Sequence, residues 1–174
     1  MDAKVIENER TAKSQHMTRQ PDGPGKRIGK KAEISAIGKL APGGAKLLRE
    51  RLPQILAESG YWEPRVGTVH DFRVMLIDND TRMLFTIVYD GDLKQYIEDI
   101  VRGAGPWLGL IFLGVWDSLK DVKEVTVAVV EDVLREAAFE CEVFYVSNPD
   151  VTVRDVAKMQ RLSGALSELL DAAT

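Results

Sequence analysis

Cysteine and histidine are scarce in this 174-residue chain, which holds one cysteine, Cys141, and two histidines, His16 and His70. A single thiol cannot close an intramolecular disulfide, and it fits a reducing, cytoplasmic setting. One thiol and two imidazoles are too few for a protein-only zinc site, so no metal is predicted. Long apolar runs are lacking as well. The most apolar stretch, 105–116, is roughly half of the ~20 residues a membrane span requires. No apolar segment backs the N-terminal charges, so neither a secretory signal nor a membrane span is expected. The net charge of −4 argues against a general nucleic-acid binder.

What is present divides at about residue 31. Residues 1–31 carry eight Lys/Arg against four Asp/Glu, net +4, which leaves −8 for the remainder. They have neither helical nor strand period, and Pro21, Gly23, Pro24, Gly25 and Gly29 punctuate them. This stretch reads as a disordered basic arm, either a solvated leader or a tether for an acidic partner. Residues 32–174, with 45% apolar residues in the chain as a whole, form one domain.

Periodicity places the elements. Strands are predicted over 33–40, 66–77, 82–89 and 139–146, the middle two joined by the turn Asp78-Asn79-Asp80-Thr81. A helix is predicted over 45–57, kinked or ended by Pro53, with a loop over 60–64. A second helix runs from the Asp92 cap to about Arg102, paired with Gln95 in a capping-box pattern. Short helical turns follow over 103–116, then a helix from Ser118 through Val133. Thr152 and Asp155 cap a last helix over 153–171. The order β-α-β-β-α-(α)-β-α predicts an α+β fold: a ferredoxin-like split βαβ with a four-stranded antiparallel sheet, a helical insertion and a C-terminal helix. Helices would cover one sheet face, and a second copy of the chain would cover the other.

Gly67-Thr68-Val69-His70-Asp71-Phe72-Arg73, followed by Leu84-Phe85-Thr86-Ile87-Val88-Tyr89-Asp90-Gly91-Asp92 and Tyr96-Ile97-Glu98-Asp99-Ile100, resembles a largely uncharacterised bacterial ferredoxin-like family. Lys39-Leu40-Ala41-Pro42-Gly43 and Phe144-Tyr145-Val146 through Leu169 are similar to it too. That family belongs to the dimeric α+β-barrel group, so the resemblance implies a homodimer with a cavity in each barrel. The wider group includes monooxygenases, cyclases, haem proteins and simple binding domains. The family places an aromatic residue directly after the histidine, where this chain has Asp71 and delays the ring to Phe72.

His70 and Arg73 are the candidate catalytic residues. His70 reads either as a structural histidine bonded to a backbone carbonyl, or as a general base toward a phenol or ketone. Haem, ligated by His70, is the one cofactor considered, and none is predicted. Arg73 shares a face with Asp71 and is a candidate anchor for a carboxylate or enolate near Ser35, Thr86 and Glu142. The structural alternative pairs Arg73 with Glu142, or Asp71 with Arg82, across strands. Phe72, Trp107 and Phe112 complete the candidate ligand-binding set with Asp71, Thr86 and Glu142. The segment Pro106–Trp116 reads as core packing, as a wall over an apolar pocket, or as a partner-binding surface. Asp78, Asp80, Asp90 and Asp92 fit turn and cap chemistry better than an EF-hand, which needs a central glycine and a terminal glutamate. Gly43-Gly44 reads as a turn and Cys141 as core. The function expected is a small-molecule-binding protein or cofactor-independent enzyme acting on an apolar or aromatic metabolite in the barrel cavity. The alternative is a non-catalytic accessory protein that binds a partner chain through its sheet and apolar segment.

Overall fold

Alternating side chains lay down the sheet that carries the rest of the chain. A computed structural model of the protein describes residues 16–172. The long strands are β3 (Lys31–Lys39), β4 (Val69–Ile77) and β5 (Arg82–Asp90), each of nine residues. Successive strand residues point to opposite faces, so Met83, Phe85, Ile87 and Tyr89 of β5 are all buried on one side. Ala32, Ile34 and Ala36 of β3 lie opposite Tyr89, Ile87 and Phe85, and Phe72 and Val74 of β4 flank Ile87 and Phe85 from the other side. The β4–β5 hairpin turns where expected, with Asp78, Asn79 and Asp80 all at positive φ, a conformation that short polar side chains tolerate.

Helices α1 (Gly44–Val66), α2 (Leu93–Phe112) and α3 (Val127–Ala137) supply the apolar residues that meet this face. α1 runs through Pro53 and Pro64 instead of ending at 57, so the loop expected over 60–64 is helical. Pro53 forgoes only its own bond to the preceding turn. α2 likewise absorbs the apolar segment as far as Phe112, with Leu108 and Ile111 buried, and Val115 and Trp116 are buried in the turn that follows, so much of this stretch is core. A single 3-10 turn over Asp117–Leu119 stands where the third helix was expected to begin, and Thr126 caps α3 by accepting from the Val129 N–H. Asp92 does precede α2, but its side chain bonds Arg27, and Gln95 bonds Asp99.

The sheet is antiparallel and has six strands, not four. β1 (Thr18–Arg19) and β2 (Lys26–Ile28) extend it beyond β3, and β6 (Ala138–Phe139) also pairs with β3. The expected disordered arm therefore contributes strands from residue 18 onward, while residues 1–15 of it lie outside the described residues. Gly25 and Gly29, at φ 97 and 58, make the two turns that allow this. The hairpin also explains why the strand expected over 139–146 shrinks to two residues. β6 pairs with Ser35 and Ala36, and in that register a strand continued to residues 142 and 143 would meet Ala32 and Lys31, which β2 already holds. The last helix, α4 (Val153–Ala172), starts with the expected reciprocal cap: Thr152 N–H and Oγ1 bond Asp155 Oδ2, and Asp155 N–H returns to Thr152 Oγ1. No described helix is long and apolar enough to cross a membrane.

Candidate functional site

Three elements converge on His70. The β4–β5 register slips between Val69 and Asp71, which makes His70 the extra residue of a bulge. A bulge re-aims the side chain it carries. His70 Nε2 lies 2.7 Å from Asp90 Oδ1 at the end of β5. Asp90 Oδ2 accepts the N–H of Val153, the first residue of α4, also at 2.7 Å. The Asp90 carboxylate is 9% exposed and the imidazole 17%. A carboxylate only accepts, so Nε2 carries the proton, and among the described residues no hydrogen bond is made to Nδ1.

His70 borders a cleft of about 220 Å³ between α1, α2 and β4. Its walls are mostly apolar: Trp62 and Val66 from α1, Phe72 from β4, and Ile100, Ala104 and Trp107 from α2. The Trp107 indole donates to Ile55 O at 2.9 Å, which fixes one ring, and Phe72 packs on it at 5.5 Å between centroids. Asp90 faces the other way into a more polar cleft of about 410 Å³ bordered by Arg27, Lys30, Thr68 and Arg154. The carboxylate is therefore a wall between the two. A third, wholly apolar cavity between the sheet, α2 and α3 is only about 60 Å³, too small for an organic ligand.

The residues expected to form one site fall into two groups. His70, Phe72 and Trp107 meet at the cleft, with Phe112 one layer deeper against Phe72. Arg73 and Thr86 are cross-strand neighbours on the opposite sheet face, in one row with Ser35. Arg73 bonds Asp71 on its own strand, and Arg82 bonds Asp78, so neither expected cross-strand ion pair forms. That bond holds the Arg73 guanidinium pKa above its usual value. Asp71 borders the cleft but spends its carboxylate on Arg73. Glu142 is exposed in the irregular segment after β6, where its charge acts on Lys26. Its place beside Arg73 is not realised, because the strand that would have carried it there is cut short.

That face hosts a polar cluster of its own. Glu33, 4% exposed, accepts from the Lys26 N–H, the Ser35 hydroxyl and the Cys141 thiol. Burial and then Glu33 push the Cys141 thiol up to about 12, so it stays protonated. The aspartates of the hairpin turn are occupied too, Asp78 by Arg82 and Asp80 by Arg49, whose guanidinium holds the Asp80 carboxyl below its usual range. No group of three or more His, Cys, Asp or Glu suited to a metal occurs among the described residues.

Sequence reasoning missed Asp90, Trp62 and the Val153 N–H. The signal for Asp90 was within reach, because the hairpin turn fixes a register that sets residue 90 beside residues 68–70. Trp62 was hidden by assigning 60–64 to a loop. Comparison of the chain with protein-family models, with curated proteins and with solved structures gives no match.

Proposed function

We propose that this chain binds a single-ring, largely apolar small molecule in the cleft beside His70, and that His70 accepts a proton from it without a cofactor. One observation carries the reading: an imidazole clamped through Nε2 by a buried carboxylate, on the rim of a cleft walled by Trp62, Trp107 and Phe72. Such a clamp fixes the tautomer and steadies the imidazolium formed on proton uptake. Aromatic walls with a few polar groups, here His70 with Ser59, Glu63 and Asp71 on the lining, are the usual make-up of a ligand site. At about 220 Å³ the cleft falls below the size of drug-like pockets, which limits the ligand to roughly one ring. Arg73, on the other face and paired with Asp71, is left out of this chemistry.

The strand order supports the finer fold reading. Without β1 and β2 the neighbours run β6, β3, β5, β4, all antiparallel. That fourth-first-third-second order is the one a split βαβ gives, and we read the domain as ferredoxin-like with an added N-terminal hairpin. This supports a fold and says nothing of the chemistry.

Titration with p-nitrophenol, whose phenolate absorbs at about 400 nm, tests the function. The wild-type protein is expected to bind it and raise its phenolate fraction at pH 6. His70→Ala should abolish that rise over the free ligand, and Arg73→Ala should leave it intact. Absence of binding, or loss in Arg73→Ala with retention in His70→Ala, would overturn the proposal.

A further inference from the structure

Among the described residues, α4 is the one long helix in which no residue is buried. Its apolar side chains nevertheless lie on a single stripe: Val156, Met159, Leu162, Leu166, Leu169 and Leu170 are between 40% and 69% exposed. The 3-4-3 spacing from Met159 to Leu169 is that of a helix-pairing seam. A stripe of this size left in water marks an interaction surface.

The pattern identifies the occupant. Reflection about position 164 exchanges Met159 with Leu169 and Leu162 with Leu166, so the seam is its own complement when the second helix runs the opposite way. Next to the seam, the same arrangement sets Val156 against Leu170, and near the two-fold axis it brings Ser163 and Ala165 each against its own copy. These small side chains let the two helices approach closely at the centre.

The charges agree. Arg154, Lys158 and Arg161 occupy the first half of α4, and Glu168 and Asp171 the second. Asp155, the one acid of the first half, is spent on the Thr152 cap. This polarity opposes the helix's own dipole, which favours acids at the N-terminus and bases at the C-terminus. A parallel neighbour would set like charge against like, whereas an antiparallel one sets each half against its opposite. We propose that α4 pairs antiparallel with α4 of a second copy of this chain, about a two-fold axis near residue 164. Such an interface is isologous, the commonest way for identical chains to close on themselves. It needs neither the open sheet face nor the cleft reading.

Light scattering on the eluting full-length chain tests it. The wild type should elute at about twice its 19.4 kDa, and Leu162→Glu/Leu166→Glu should return it to the single mass. The near-UV spectrum should be unchanged in that variant, because neither leucine is buried in the isolated fold. A wild type that stays at the single mass at every concentration overturns the proposal. So does a double variant that remains a dimer, which would assign the interface to another surface. Orientation is read in a Cys141→Ser background by mixing Met159→Cys and Leu169→Cys chains under oxidation. Mixed disulfides are expected, and a predominance of 159–159 bonds would refute the antiparallel arrangement.

Discussion

Asp90 holds two donors at once, and its replacement separates a structural tether from the tautomer of His70. In Asp90→Ala, the imidazole Nε2–H and the Val153 N–H both lose an acceptor at 2.7 Å. Hydrogen bonds to a charged group contribute about 1.5–3 kcal/mol each, and water reaching the partly exposed start of α4 offsets some of the loss, so about 3 kcal/mol is expected in all. For a chain of this size that corresponds to a fall in Tm of roughly 6–12 °C. Asp90→Asn should behave differently. Its carbonyl can still accept from Val153, and its amide then donates to Nε2, so the cost should be only about 1 kcal/mol. The proton moves to Nδ1, which changes from acceptor to donor. Urea denaturation measures both costs, and long-range ¹H–¹⁵N correlation of the imidazole reads the tautomer. An Asp90→Ala cost below about 1 kcal/mol would refute the clamp, being no more than one ordinary neutral hydrogen bond. An unchanged tautomer in Asp90→Asn would refute the assignment of the proton to Nε2.

Two further outcomes follow from packing and from burial. A Cβ at Gly38 would lie 2.2 Å from the buried Trp116 ring, so Gly38→Ala should lower the stability measured in urea by about 1–3 kcal/mol; an unchanged midpoint would show that the ring yields freely. Cys141, pushed up to about 12 from 9.0, should react with iodoacetamide at pH 8 on the order of 50-fold more slowly than the same thiol in urea, the lower thiolate fraction being partly offset by the greater nucleophilicity of the thiolate. The folded pKa is the raised one, so this thiol's contribution to stability is whole below pH 9 and is lost as pH climbs toward 12. Equal labelling rates in the two states would contradict that burial.

The legible parts of the fold were those set by local rules. Strand alternation in β3, β4 and β5, the Asp-Asn-Asp turn and the Thr152–Asp155 cap all follow from neighbours in sequence, and each forms where its residues put it. What escaped depended on competition at a distance. Glu140 to Val146 have strand propensity, but β2 already holds the edge of β3 they would need. Pro53 and Pro64 read as breaks until the packing of α1 against α2 outweighs the bond each one forgoes. The same holds for the site. Phe72 and Trp107 could be named from their type, and they do meet. Arg73 was set on the face away from His70 by alternation alone, yet nothing local announces that its partner would be Asp71 on the same strand.

The bulge at His70 has a second consequence, for solubility. β4 ends the sheet, and among the described residues nothing pairs with its outer side. A nine-residue edge with free N–H and C=O groups is a template on which another chain can add a strand, the first step of fibril growth. The extra residue breaks that template near its start, because a bulge sharpens the local twist and misaligns the donors a newcomer would need. Arg73 and Asp71 put charge on the stretch just beyond it. Deleting one residue from the bulge would therefore leave a longer, flatter edge as well as a misdirected imidazole, and the loss of the His70–Asp90 contact would arrive together with precipitation.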